Sequence, residues 1–302
     1  MFTDLPFELL QIFARQGSVA TFAQLEQHLG RRTLQRHIRN GALVKIWPNI
    51  YCWGQPTRDI RLNGLNLRCG EPVAICLGTA AAAYGFDTEN TTDLHVLHPL
   101  RAHLRGTEGL MVHHRDGAPL TTHLGRYATA PAWTAVEIAR TLLRPRALAT
   151  LDAALRTRTC TVDDLLEAAK QQAKRRHIRM ARELIPLARS EAESPMESES
   201  RLVMHDAGLP EPKLQYSVID HDKRCWRLDF AWPDQMFAVE YDGFDWHSSR
   251  EHLKKDRQKR AALQELKWRV LYVVANDVRV EHRAMVRRIE AQLRAPNLAR
   301  GA

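Results

Sequence analysis

The sequence predicts a multi-domain α/β protein, and three observations support this prediction. The chain has 302 residues, more than one compact domain usually holds. Its first sixty residues combine helical periodicity with a hairpin pattern, and its last hundred contain strand patterns bounded by helices. Apolar residues make up 44% of the chain and charged residues 26%, as in an ordinary globular protein. We therefore predict domains at residues 1–58, 59–190 and 191–302.

The first domain is predicted to be a winged helix-turn-helix. A helical pattern over residues 7–15 precedes Thr21, which can cap a second helix, and Gly30 can make the turn to a third. Residues 43–53 then alternate as a hairpin with its turn at Pro48-Asn49. Three helices followed by a hairpin are typical of a fold whose recognition helix enters the major groove of DNA.

The third helix carries the predicted DNA-contacting residues. Leu34 and Ile38 are expected to face the domain core, which leaves a basic side exposed. The residues expected to contact DNA are Arg31, Arg32, Gln35, Arg36 and Arg39. A small helical domain with a solvated arginine face, or with a protein-binding role, is the alternative.

Four features recur within residues 5–55: the Gly30 turn, the Arg/Thr/Leu helix, Gly41-Ala42-Leu43 and Trp47-Pro48-x-x-Tyr51. With these features the segment resembles the N-terminal domain of AbiEi-type antitoxins and transcriptional regulators. The family usually has Gly where this chain has Asn49, a residue that tolerates left-handed backbone. Residues 59–190 resemble, more weakly, the α/β middle domain of AbiEi-like proteins. The resemblance implies DNA as a partner and a toxin–antitoxin system as one biological setting.

The third domain contains two strand patterns, at residues 225–232 and 236–243. Trp226, Leu228, Phe230 and Trp232 are expected on one face of the first strand, opposite Asp229. A hairpin through Pro233-Asp234 would then place Asp229, Glu240 and Asp242 on one surface. Clustered carboxylates repel unless a cation neutralises them, and oxygen ligands favour Mg²⁺ or Mn²⁺. An acidic sheet face in contact with solvent is the alternative.

The predicted order over residues 194–292 is helix, three strands, basic helix, strand and helix. Six landmarks follow this order: Ser-Pro-x-Glu at 194–197, Arg-Leu-Asp-Phe-Ala-Trp-Pro at 227–233, Val-Glu-Tyr-Asp-Gly at 239–243, His247, Asp256-Arg257 and Trp-Arg-Val at 268–270. With these landmarks the region resembles the PD-(D/E)XK nuclease superfamily, and within it the small domains related to the very-short-patch-repair (Vsr) endonuclease. The resemblance implies a restriction-endonuclease-like mixed sheet flanked by helices and metal-dependent hydrolysis of a phosphodiester bond.

Transferred residue by residue, the resemblance implies metal ligation by Asp229, Glu240 and the backbone carbonyl of Tyr241. It implies catalytic roles for Glu197, Asp229, Glu240, Asp242 and His247. The superfamily usually has a lysine where this chain has Asp242, so we expect His247, or Lys254 or Lys255 behind it, to substitute. Lys254, Lys255 and Arg257 are predicted to contact DNA.

Whole-chain properties agree with a cytoplasmic nucleic-acid-binding protein. The net charge of +9 favours phosphate backbones, although it would also attract acidic proteins or anionic membranes. The sequence has neither an apolar run long enough for a membrane span nor a signal-peptide pattern, so no membrane partner is expected. Its five scattered cysteines are typical of buried thiols in a reducing compartment.

The main hypothesis is a DNA-binding, Mg²⁺- or Mn²⁺-dependent endonuclease targeted by a winged helix, acting alone or with a DNA-repair partner. The alternative is an AbiEi-like regulator or antitoxin whose nuclease-like domain is inactive. An RNA-cutting toxin is a third hypothesis, because backbone hydrolysis alone does not distinguish the sugar.

Overall fold

The computed structural model describes residues 5–89, 91–114, 117–243 and 250–295. The chain divides into two compact units, Met1–Ala83 with Glu89–Ala130, and Tyr84–Thr88 with Pro131–Ala302. Both units mix helices and strands, in agreement with the predicted α/β class. These units do not coincide with the three predicted domains, whose boundaries stay predictions.

The first unit begins with helices and a small antiparallel sheet in the predicted order. The elements are α1 Phe7–Arg15, β1 Val19–Thr21, α2 Phe22–Arg39, β2 Leu43–Trp47 and β3 Ile50–Trp53. The sheet order is β1-β3-β2, with antiparallel pairing throughout. The predicted hairpin is therefore present as β2 and β3.

Local signals in the sequence explain the bends of this segment. Gly30 has φ 68° and ψ 154°, which breaks α2 into two helical pieces, residues 22–29 and 31–39. Thr21 starts the first piece with a capping box, since its hydroxyl accepts from the Gln24 N–H at 3.2 Å and the Gln24 side chain accepts from the Thr21 N–H at 2.9 Å. Asn49 has φ 67° at the tip of the hairpin, the left-handed conformation expected there.

A hydrophobic core holds these elements together. Leu9, Leu25 and Leu34 are fully buried in it, and Ile38 packs partly against it, as predicted. His37 is buried as well, and its ring lies 5.1 Å from the ring of Trp53. His37 was not among the predicted core residues, and histidine is usually only partly buried in proteins.

The remainder of the first unit is a helix pair followed by two strand pairs. The elements are α3 Arg58–Cys69, α4 Leu77–Tyr84, β4 Leu94–Leu97, β5 Leu110–His113, β6 Leu120–His123 and β7 Arg126–Thr129. Strands β4 and β5 are parallel, and β6 and β7 are antiparallel. Ile75 bridges to Val96 and to Ala128, so this single residue contacts both strand pairs.

The second unit contains eight helices and four strands among the described residues. The elements are α5 Pro131–Ala139, α6 Arg144–Arg156, α7 Val162–Gln171, α8 Ile178–Leu184, α9 Pro195–Asp206, β8 Lys213–Ile219, β9 Cys225–Trp232, β10 Phe237–Tyr241, α10 Arg250–Glu265, β11 Arg269–Val273, α11 Ala275–Arg279 and α12 His282–Arg294. The sheet order is β11-β10-β9-β8, and only β10 and β11 run parallel. The predicted order from α9 onward is present, with the short α11 added.

Buried ion pairs connect α9 to its neighbours. Arg201 on α9 lies 2.7 Å from Asp152 on α6, and both side chains are buried. Glu199 on α9 pairs with Arg146 of α6 at 3.1 Å and with Arg279 of α11 at 2.7 Å. Helix α9 thus joins the preceding helices to the sheet region within one compact unit.

The sheet is covered on both faces, and the face assignment corrects one prediction. Phe230 and Trp232 pack in one apolar cluster with Phe237, whereas Leu228 packs in another with Leu263. Leu228 therefore does not share a face with Phe230 and Trp232. The pairing of β8 with β9 omits the position of Gln215, whose φ is 47°, and this irregularity lies beside Asp229.

Two whole-chain expectations can be compared with the structure. Cys52, Cys76 and Cys160 are buried as predicted, whereas Cys69 is half-buried and Cys225 is exposed at the start of β9. In the described part of the chain, every helix is too short or too polar to cross a lipid bilayer.

Candidate functional site

The first candidate site is the basic side of residues 31–39, which we call the arginine face. Its members are Arg31, Arg32, Gln35, Arg36 and Arg39. All five side chains are exposed, while Leu34 and His37 on the opposite side are buried. Among the described residues, no carboxylate forms an ion pair with these four arginines. The arginine face therefore presents four uncompensated positive charges to water.

The second candidate site is a group of carboxylates that we call the acidic cluster, namely Glu197, Asp229 and Glu240. They come from three different elements, α9, β9 and β10. Ser194 caps α9 by accepting the Glu197 N–H at 3.2 Å, which fixes Glu197 in the first turn. Glu197 is 8% exposed and Glu240 is 7% exposed, so two of the three are almost fully removed from solvent.

Hydrogen bonds link two members of the acidic cluster. The Gln215 side-chain amide donates to Glu197 Oε2 at 2.9 Å and to Asp229 Oδ1 at 3.4 Å. The Tyr241 backbone N–H donates to Asp229 Oδ2 at 3.0 Å, where the β9–β10 ladder ends. Gln215 and Tyr241 therefore hold Asp229 between the strand and Glu197.

Glu240 has a different partner. Its Oε1 atom lies 2.5 Å from the ammonium group of Lys259 on α10, and both side chains are largely buried. Oε1 has no further hydrogen-bond partner among the described residues, although it is buried. The sequence analysis predicted neither Gln215 nor Lys259 as part of this site.

Burial makes the cluster electrostatically unfavourable. Loss of solvent raises the pKa of Glu197, of Asp229 and of Glu240 above the ordinary values. The charge of Asp229 raises the pKa of Glu197 and Glu240 further, while Lys259 offsets part of the rise in the pKa of Asp229 and Glu240. A second cation would therefore favour the fully ionised cluster.

The donor chemistry fits a hard divalent cation. Asp229 and Glu240 offer only oxygen ligands, which Mg²⁺ and Mn²⁺ prefer. No group of three or more His, Cys, Asp or Glu side chains in the described ranges is arranged to hold a metal. Mg²⁺ commonly binds through one or two carboxylates and several waters, so metal ligation by the pair Asp229 and Glu240 stays a prediction. The ligand role of the Tyr241 carbonyl stays a prediction.

The other predicted catalytic residues and the predicted DNA-contacting residues of α10 are exposed, contact other groups or lie outside the described residues. The Asp242 carboxylate is half exposed and lies 3.5 Å from Arg260 on α10. Lys254, Lys255 and Arg257 are exposed on α10. His247 lies outside the described residues. The lysine that contacts Glu240 is Lys259, one helical turn beyond Lys255.

Comparisons with known proteins place the chain in a family. Residues 73–187 match the family model described as the AbiEi antitoxin C-terminal domain. Two proteins of Mycobacterium tuberculosis, "Uncharacterized protein Rv2248" of strain H37Rv and "Uncharacterized protein MT2308" of strain CDC 1551, are each 49% identical over 269 residues. Each alignment covers 89% of this chain and 99% of the relative. The chain therefore belongs to the same protein family as these two mycobacterial proteins, with an AbiEi-type antitoxin domain matched at residues 73–187.

Proposed function

We propose that the protein is a DNA-binding regulator of the AbiEi antitoxin type that contacts duplex DNA through the arginine face. The single observation that carries this proposal is the exposure of all five residues of the arginine face on one helical segment. The family match over residues 73–187 supports the regulator or antitoxin class, and it supports a protein toxin as a second partner.

The arginines of the arginine face have no ion-pair partner among the described carboxylates. An exposed guanidinium group can donate two hydrogen bonds to a phosphate or to a guanine edge. No internal ion pair has to be broken before the arginines bind, because no described carboxylate pairs with them. Each phosphate contact also releases counterions from the duplex, which adds affinity that depends on salt.

The test is fluorescence anisotropy with duplex DNA from the region upstream of the gene and with an unrelated duplex. A triple variant, Arg32→Ala with Arg36→Ala and Arg39→Ala, removes three charges from the arginine face. We expect it to bind at least 100-fold more weakly, since each contact contributes about 1 kcal/mol or more.

The control removes three exposed arginines elsewhere, with the same change in net charge. Arg179, Arg283 and Arg287 lie on α8 and α12 and are exposed, so their replacement by alanine matches the charge loss. Equal affinities of the two triple variants would contradict the proposal, because binding would then follow total charge and not the arginine face.

We propose metal-dependent phosphodiester hydrolysis at the acidic cluster as a second function. The observation that favours it is the burial of Glu197 and Glu240 beside Asp229 with a lysine in contact. Burying several carboxylates destabilises a fold unless a cation or proton neutralises them.

Each residue of the cluster has a definable task. Asp229 and Glu240 would hold Mg²⁺ or Mn²⁺, which when bound acts as a Lewis acid and lowers the pKa of a coordinated water. Gln215 and the Tyr241 N–H fix the orientation of Asp229. Glu197 is tied to the same amide, so it restricts how far Gln215 can move.

The test is nicking or cleavage of supercoiled DNA in Mg²⁺ or Mn²⁺, with EDTA as the metal-free control. Single-stranded DNA and RNA are compared as substrates in the same assay. We expect Asp229→Ala and Glu240→Ala each to lose at least about 100-fold in rate, since the metal ligands provide the main transition-state stabilisation. Asp222→Ala, an exposed loop carboxylate, should cleave like the wild type.

A wild-type protein that cleaves none of the three substrates in Mg²⁺ or Mn²⁺ would contradict the second function. So would an Asp229→Ala protein that cleaves at the wild-type rate. Either result leaves the DNA-binding proposal standing, because the arginine face lies in the other compact unit.

A further inference from the structure

We propose that Lys259 supplies the positive charge that binds the scissile phosphate at the acidic cluster. This inference rests on the second proposed function, the hydrolysis of a phosphodiester. It places a catalytic lysine on α10, which the spacing of residues along the strands does not predict.

The contact geometry carries the proposal. Lys259 Nζ lies 2.5 Å from Glu240 Oε1, with the lysine side chain 21% exposed and the glutamate side chain 10% exposed. The Lys259 side chain is therefore the more exposed of the two partners. A phosphate that approaches the cluster meets this positive charge beside the two predicted metal ligands.

The pKa shifts agree with an effect of Lys259 on both Asp229 and Glu240. The charge of Lys259 lowers the pKa of both Asp229 and Glu240, against the larger effect of burial. One ammonium group thus acts on both strands of the cluster. No other lysine contacts a carboxylate of the cluster among the described residues.

The neighbouring charged residues either contact other groups or do not contact Glu240. Asp242 occupies the position at which the nuclease superfamily that this region resembles usually has its lysine. The Asp242 carboxylate lies beside Arg260. Arg260 also covers the ring of Tyr272, with the guanidinium carbon 4.2 Å from the ring centroid. Lys255 lies one turn before Lys259 and is exposed. Among the described side chains of α10, Lys259 is thus the basic residue that reaches Glu240.

The reaction needs a cation at this place. The oxygen of a water molecule forms a bond to phosphorus, and the bond from phosphorus to the leaving sugar oxygen breaks. The water gives up one proton to solvent, and the leaving oxygen takes up one proton from solvent, so no oxidant or reductant is required. Negative charge grows on the non-bridging oxygens meanwhile, and the Lys259 ammonium would donate a hydrogen bond to one of them.

The experiment compares Lys259→Met and Lys259→Gln with the matched control Lys170→Met, which removes the charge of an exposed lysine on α7. We expect both Lys259 variants to cleave at least 100-fold more slowly than the wild type, and Lys170→Met to cleave within threefold. Lys259→Gln keeps a hydrogen-bond donor for Glu240, so it tests the charge even where Lys259→Met fails to fold. Lys259→Arg should recover at least tenfold over Lys259→Met, because the charge returns in a larger group.

A second readout uses no substrate. Mn²⁺ binding to each protein is measured by isothermal titration calorimetry without DNA. We expect both neutral Lys259 variants to bind Mn²⁺ at least as tightly as the wild type, since a repelling charge has been removed, whereas Asp229→Ala should bind at least tenfold more weakly.

Three results would overturn the proposal. Wild-type cleavage rates in both neutral variants would show that the charge is not needed. Loss of Mn²⁺ binding in them as large as in Asp229→Ala would show that Lys259 only holds the carboxylates. A wild-type protein that does not cleave would contradict the second function itself. If the wild type cleaves and Asp229→Ala is inactive, the second function holds, and the first two results then bear on the role of Lys259 alone.

Discussion

The arginine face and the buried charges around α9 show opposite solutions to the same problem of placing charge in a protein. The arginine face holds four positive charges in water, where no described carboxylate pairs with them. Around α9 the charged groups are buried, and Glu199 and Arg201 have ion-pair partners. Exposed charge is therefore available for a ligand, whereas buried charge shapes the fold and tolerates change poorly.

The largest effect expected from this comparison is on stability at Arg201. Replacement by methionine leaves the fully buried Asp152 without its ion-pair partner at 2.7 Å. We expect a loss of about 3–5 kcal/mol in the free energy of unfolding, as for other buried pairs with one partner removed. Denaturant unfolding followed by circular dichroism measures it.

The matched control for this prediction is Arg36→Met on the arginine face. An exposed arginine without a partner should change the free energy of unfolding by no more than about 0.5 kcal/mol. Equal stability changes in Arg201→Met and Arg36→Met would remove the distinction between the two regions.

The next largest effect is expected at Gly30, whose backbone sets the direction of the arginine face. A Cβ at Gly30 would meet no atom within 4 Å, so the effect of Gly30→Ala comes from the backbone alone. With φ 68° and ψ 154° we expect a loss of about 1–3 kcal/mol. Thermal unfolding measures this loss.

Gly30→Asn sharpens the same test. Asparagine tolerates the left-handed region near ψ 47°, but not an extended ψ at positive φ. It should therefore destabilise the protein about as much as alanine does. An unchanged melting temperature in both variants would show that the kink at Gly30 is not required.

The sequence predicted the arginine face more completely than it predicted the acidic cluster. The arginine face depends on the periodicity of nine residues, so the burial of Leu34 and the exposure of Arg36 follow from local spacing. Asp229 and Glu240 were predicted together because a short hairpin joins their strands. The turn residues Gly30 and Asn49 were equally visible, since each backbone conformation favours a particular residue type.

The partners of the buried carboxylates could not be predicted in the same way. Gln215 reaches Asp229 through the pairing of β8 with β9, and Lys259 reaches Glu240 through the packing of α10. Such contacts join residues distant in sequence, and no local period marks them. The change of face between Leu228 and Phe230 was missed for the same reason, because it arises at an irregular pairing beside Gln215.

The smallest effect concerns the pH dependence of Asp229→Asn. The pKa of Asp229 is raised by burial, so the neutral carboxyl stabilises the folded state at low pH and this stability is lost as the pH rises through the raised pKa. Asparagine is neutral at every pH and can still accept the Tyr241 N–H through its carbonyl oxygen.

Without divalent cations, we therefore expect the variant to melt at a higher temperature than the wild type at pH 7.5. The difference should shrink towards about pH 4, near the ordinary pKa of aspartate. Melting curves in EDTA across this range measure it. A variant that is less stable than the wild type at pH 7.5 would contradict the proposed electrostatic cost of the acidic cluster.

Binding of the phosphate backbone by the arginine face is tested most directly by the salt dependence of duplex affinity. The logarithm of the binding constant falls with the logarithm of salt concentration by about 0.9 for each phosphate that is neutralised. For Arg32→Ala with Arg36→Ala and Arg39→Ala, we expect a slope shallower than that of the wild type by between about 2 and 3. A slope equal to that of the wild type would contradict it.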